Sequence, residues 1–260
     1  MAIQFSGTGE GVSCGSSDLV LTIGIPLTIS IWFYITGAGE NNEGFFVGKG
    51  TAGNVGEGVR LQMATTTGLY FVVAGSTYLV RADTSGAFSL NTWYHALATW
   101  DGSVTAANAN VYLNNTEITY DTTTNGVALF STTGGPICIG DRSAAGLRST
   151  AGILTEAAVW NRILTTDERA YLYGGGVLYK GRPKAISFGI NLIGYWPLDE
   201  NLSGTVNAGS GYVRDKSGLG NHGTQASDPS YASEPPVVEY PSKIDTKKIR
   251  PRAFAPGLAR

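Results

Sequence analysis

Hydrophobic and polar positions alternate with a period of two through most of the apolar segments of this chain. In LTISIWFYIT, residues 27–36, Leu27, Ile29, Ile31, Phe33 and Ile35 share one face, and Thr28, Ser30, Trp32, Tyr34 and Thr36 share the other. Such alternation, rich in β-branched residues, predicts a strand with one face in a core. The same rhythm predicts strands at 3–7, 44–50, 58–64, 69–75, 77–83, 93–101, 109–115, 136–140 and 152–162. Between them lie turn-forming stretches such as GAGENNEG, TTTG, DGS, STTGG and DRSAAG, whose glycines, asparagines and aspartates suit tight reversals. Many short strands at regular spacing predict an all-β sandwich or barrel. One segment breaks the rhythm. TTDERAYLYGGG, residues 165–176, reads as a helix, with Thr165 or Thr166 as N-cap, acids in the first turn and Gly174 as its stop.

Composition narrows the class. The 260 residues include 36 glycines spread along the chain, and only 15% are charged, which fits many turns around a substantial core. No apolar run is long enough to span a membrane. The start, MAIQFSGTGEG, lacks the basic and apolar regions of a signal peptide, so export by that route is not expected. Net charge is −2 but uneven: residues 241–260 hold six Lys/Arg and one Asp, leaving that end at +5 and the rest at −7. A basic tail suits an acidic protein surface or nucleic acid, and the acidic body argues against general nucleic-acid binding. Cys14 and Cys138 flank no metal-binding spacing and read as buried free thiols.

Two motifs carry a family resemblance. In NTWYHALATWDGS, residues 91–103, Trp93, His95, Trp100, Asp101 and Gly102 fall in the spacing W-x-H-x-x-x-x-W-D-G, with Asp101-Gly102 a hairpin signal. In GILTEAAVWNRILTTDERAYLY, residues 152–173, a strand ending at Trp160 in W-N-R leads into the short helix. Together they resemble the laminin-G-like, concanavalin A-like jelly roll over about residues 1–175. The resemblance implies two antiparallel sheets packed face to face. His95 then reads as a strand histidine hydrogen-bonded to a neighbouring loop. Family members that hydrolyse sugars carry E-x-D-x-x-E on one strand. Here Glu156 stands alone in LTEAAVW, and no enzyme is expected. Some laminin-G-like modules hold calcium at a rim loop; Asp101, Asp141 and Asp199 are the available carboxylates, none in a recognisable calcium loop, and turn-forming Asp is the default reading.

LIGYWPLDE (192–200) and RDKSGLGNHGT (214–224) resemble the opening of such a domain, yet they stand near the end. Rotation of the chain order accounts for this. The expected fold is therefore a two-sheet antiparallel jelly roll with one short helix and an extended C-terminal arm. Residues 1–178 form the jelly roll, 179–189 a connector, 190–232 the segment that completes a sandwich, its own or a neighbour's, and 233–260 a proline-rich basic arm. Trp196 and Leu198 are apolar enough to need burial. This layout also resembles uncharacterised proteins of tailed phages and prophages. It implies a homo-oligomeric virion component, on capsid or tail, with Lys243, Lys247, Lys248, Arg250, Arg252, Phe254 and Arg260 in the assembly arm. The alternative is a carbohydrate-binding module for surface glycans. Its aromatic platform would be the Trp32/Tyr34 face, with Tyr70, Tyr78 and Asp141 nearby. No cofactor is expected.

Overall fold

The alternating segments form strands that run antiparallel to their neighbours. The computed structural model describes residues 2–15, 24–50, 57–129, 136–142, 148–174, 183, 190–199, 213–226 and 230–232. In chain order the strands are β1 (Ala2–Ser6), β2 (Gly11–Cys14), β3 (Leu27–Ile35), β4 (Phe45–Gly50), β5 (Glu57–Ala64), β6 (Gly68–Val73), β7 (Gly75–Thr77), β8 (Leu79–Asp83) and β9 (Trp93–Trp100). They continue with β10 (Ala109–Leu113), β11 (Thr116–Glu117), β12 (Thr122–Thr124), β13 (Val127–Leu129), β14 (Ile137–Gly140), β15 (Ala151–Trp160), β16 (Leu192–Trp196), β17 (Gly223–Ala226) and β18 (Ser230–Ala232). One helix, α1 (Thr166–Tyr173), follows β15.

Two eight-stranded sheets face each other. Sheet A runs β11-β10-β9-β3-β15-β1-β18, with β16 also on β15; sheet B runs β12-β8-β6-β5-β4-β14-β2-β17; β7 and β13 make a small separate ribbon. The core lies between the sheets, where Ile29, Ile31 and Phe33 of β3 meet Phe46, Val47 and Leu61 of sheet B. Phe33 and Phe46 stack with centroids 4.7 Å apart. Burying such rings stabilises the fold by about 1.5–3 kcal/mol each. Trp100, Trp160 and Trp196 are also fully buried.

The reversal after β9 is longer than the Asp101-Gly102 pair suggests. Residues 101–108 separate β9 from β10. The Asp101 carboxylate accepts from Ser103 N at 2.9 Å and Asn108 Nδ2 at 2.7 Å. Gly102, at φ 89, lies against the Gly24–Ile25 backbone. The glycine is needed there for close approach and positive φ rather than for a two-residue hairpin.

The late segment pairs with early strands of the same chain. Strand β15 is the pivot: β1 pairs with its first half, Ala151–Leu154, and β16 with its second half, Ala157–Trp160. The two meet at a bulge at Glu156, where φ is 56 and the register to β3 shifts. Thr155 Oγ1 and Glu156 N both donate to Pro197 O there. Gly194 is required because a Cβ would collide with the Trp196 ring. The glycine-rich turn after β16 is organised by Asp215. Its carboxylate accepts from Tyr195 N, Ser217 N, Ser217 Oγ and Asn221 N. Strand β17 then pairs with β2 and β18 with β1. The arm residues 233–260 and, apart from Pro183, the connector 179–189 lie outside the described residues.

Candidate functional site

The outward side chains of β3 meet two different surroundings. At one end α1 and the chain leading into it cover the sheet. Leu97, Ala158, Trp160, Leu164, Leu172, Leu192 and Tyr195 form a second apolar cluster there. The helix is placed by local chemistry. Thr165 and Glu168 form a reciprocal capping box, and Gly174 closes the helix in the left-handed region. Arg162 grips Glu168 through two hydrogen bonds of 2.7 Å. Tyr173 stacks on Trp32 at 6.1 Å and 17°. Trp32 is therefore 4% exposed, which corrects its place in the expected glycan platform: helix packing takes the ring face a sugar would need.

His95 lies under the same cover. Its imidazole shares a 2.8 Å hydrogen bond with Ser30 Oγ on the adjacent strand, and its backbone N donates to Asn114 Oδ1. Thus the ring bonds to a strand neighbour, and only the backbone bonds to a turn. Burial lowers its pKa to about 3, so the ring is neutral near pH 7.

Beyond α1 no described residue covers the sheet. Tyr34 and Trp93 are opposite one another in the β3–β9 register, with centroids 5.5 Å apart and ring planes at 47°. Both are half-buried. The same row continues through Ile153, Gln4 and Ser230 on β15, β1 and β18. Gln4 and Ser230 are exposed.

Sheet B gathers the other predicted tyrosines. Tyr70 is opposite Gln62, and Arg60 Nε donates to Gln62 Oε1 at 2.7 Å. The Arg60 guanidinium lies 5.8 Å from the Tyr78 ring centroid. Tyr70 and Tyr78 thus surround one polar pair, on the outer face opposite to that of Tyr34. Sequence reading missed Arg60 and Gln62, because GVRLQMA marks them only as outward polar positions. Both are buried, so they form a floor more than a contact surface. Asp141 is 1% exposed and accepts from Arg142 N, Arg148 N and Ser149 Oγ. It fastens its own loop, which corrects its expected place beside a glycan.

The remaining candidates are structural. Glu156 is buried and accepts a 2.6 Å hydrogen bond from Tyr195 Oη. Asp199 pairs with Lys216 at 3.3 Å. Among the described residues, no three His, Cys, Asp or Glu gather to hold a metal, and no helix is long and apolar enough to cross a membrane. Cys14 and Cys138 are buried on opposite faces of sheet B and are not bridged to one another, and burial pushes the Cys138 thiol up to about 12. Lys243, Lys247, Lys248, Arg250, Arg252, Phe254 and Arg260 lie outside the described residues.

Known proteins of similar fold exist at low identity. A structure from Bacteroides ovatus, described as a "putative carbohydrate binding protein", superposes with a TM-score of 0.59 at 18% identity, covering 91% of this chain and 61% of that one. The present chain thus spans about three-fifths of that protein's length. A heptameric SAP-like pentraxin from Limulus polyphemus gives a TM-score of 0.45 at 19% identity, covering 66% of this chain and 85% of its own. Among curated proteins none matches the sequence. The family model described as the concanavalin A-like lectin/glucanases superfamily matches residues 6–168. That match takes in more than half of the chain, from β2 to the start of α1 and so most strands of both sheets, and the chain belongs to this superfamily.

Proposed function

We propose that the chain is a carbohydrate-binding module, lectin-like and non-catalytic, that takes glycans on the open end of sheet A. The observation that carries this reading is the half-exposed Tyr34–Trp93 pair, fixed by strand register and flanked by exposed Gln4 and Ser230. Aromatic rings offer apolar faces to the C–H faces of sugars, and amide and hydroxyl groups meet their hydroxyls. Hydrolysis calls for two carboxylates flanking the scissile bond. Strand β15 carries one, Glu156, and it is buried under Tyr195. A glycan array followed by calorimetric titration of the hits tests the reading. Binding that is lost in Tyr34→Ala supports it. No binding to any glycan at millimolar concentration overturns it.

A second reading, a homo-oligomeric virion component of capsid or tail, has one observation in its favour. The basic, proline-containing end of the sequence, net +5 over residues 241–260, suits an arm that docks on an acidic neighbour. Truncation after Ser233 followed by particle-binding measurements tests it, and unchanged incorporation would exclude the arm as anchor. The two readings are compatible.

A further inference from the structure

We propose that the glycan is an extended, uncharged, β-linked chain that lies across the strands of sheet A. This rests on the carbohydrate-binding reading above and names its ligand class. Register pairing places Trp93, Tyr34, Ile153, Gln4 and Ser230 in one continuous outward row over five adjacent strands. Adjacent strands lie about 4.8 Å apart, so the row is about 19 Å long. One strand spacing is close to the advance per sugar in an extended β-linked chain, and the row has room for about four units. The first two strands of the row supply the rings, 5.5 Å apart, so successive sugars meet successive aromatic faces.

The row is also a step. On one side stands the α1 layer, where Tyr173 closes over Trp32. On the other side the sheet continues as Thr36 and Ser6, both exposed and both aligned with Ala151. A chain laid along the row has a wall on one flank and hydroxyls on the other. None of the residues of the row or of this flank carries a charge, which favours a neutral ligand over an acidic polysaccharide. The aromatic end and the amide–hydroxyl end also differ in chemistry. The third sugar lies over Ile153, and the fourth meets Gln4, beside Ser230, only when the first two occupy the rings.

The test is a titration of the full chain with cello- and manno-oligosaccharides, from monosaccharide to about six units, beside an oligogalacturonate of matched length. Affinity is expected to rise to about four units and then level off, and to change little between about 0.05 and 0.5 M salt. Tyr34→Ala should weaken every length by about tenfold, the loss of one aromatic contact. Gln4→Ala, at an exposed position, should weaken the tetrasaccharide a few-fold and leave the disaccharide unchanged, with the melting temperature of each variant as the folding control. Equal affinity for monosaccharide and tetrasaccharide would overturn the proposal, as would equal binding of the acidic chain or no effect of Gln4→Ala on the tetrasaccharide. Glycan-array hits confined to branched or acidic glycans would sink this ligand class and leave the broader function standing. An array with no hits at all would remove both.

Discussion

The two ends of the outer face of sheet A share strands and alternation but differ in what lies on them. At the covered end Thr28 accepts from Leu164 N and donates to Arg162 O, Ser30 holds His95, and Trp32 lies beneath Tyr173. At the open end Tyr34 lies between its cross-strand neighbours, Trp93 and Ile153, and no described element packs over it as Tyr173 does over Trp32. The residue types scarcely differ along the face; among the described residues the difference is that α1 lies on one end and not on the other. Gly174, at φ 66, ends the helix. Period-two alternation therefore says which face a side chain joins. Whether that face is covered is decided by an element more than a hundred residues later in the chain.

Four expectations sharpen this contrast. The largest concerns the late segment. Ending the chain after residue 189 removes β16, β17 and β18, and with them Leu192 and Tyr195 from the covered cluster and Trp196 from the main core. Calorimetry should then show no cooperative unfolding transition, and a truncated protein that melts like the full chain would refute this account of the fold. Next is the pair of aromatic deletions on β3. Trp32→Ala should cost about 3–5 kcal/mol by denaturant titration, as for other buried rings. Tyr34→Ala should cost no more than about 1 kcal/mol, the scale of a cross-strand pair. Equal losses would mean that the two ends do not differ.

His95 gives a pH signature confined to the covered end. Its folded pKa, lowered by burial to about 3, lies below the unfolded value of 6.5. Between those values the unfolded chain binds the extra proton, so stability falls as pH drops below 6.5. The loss from this group between pH 7 and 5 should be about 2 kcal/mol. In His95→Gln that slope should flatten, as read from melting temperatures across the same range. The smallest effect is at the helix start. Thr165→Ala breaks the capping box and should cost about 1 kcal/mol, with Tyr34 fluorescence and surface accessibility unaltered.

Much of this was legible in the sequence. The segment 27–36 alternates over its whole length and is a strand from Leu27 to Ile35. The helix read over 165–176 forms from Thr166 to Tyr173, because Thr165, Glu168 and Gly174 supply both its caps. The short strands β7, β11, β12 and β13 were not legible. They carry two or three residues each, mostly half-buried or exposed, so no hydrophobic alternation marks them. The break within β15 was hidden as well. LTEAAVW alternates poorly, and its cause, positive φ at Glu156 beside Pro197, needs the late segment in place. The residues of the proposed site were legible only in part. Tyr34 was singled out with Trp32, but the helix that separates their fates leaves no trace in their local sequence. Trp93 stood out for its motif spacing and not for its half-exposed ring. Gln4 and Ser230 join the row only through register, which single-strand patterns do not encode.

The most direct test of the central claim measures one variant twice. Tyr34→Ala is titrated with a neutral β-linked tetrasaccharide and melted in the same buffer as the unmodified chain. The account predicts affinity lower by about tenfold with a melting temperature nearly unchanged. Undiminished affinity, or a loss of binding that only follows a collapse in stability, would contradict it.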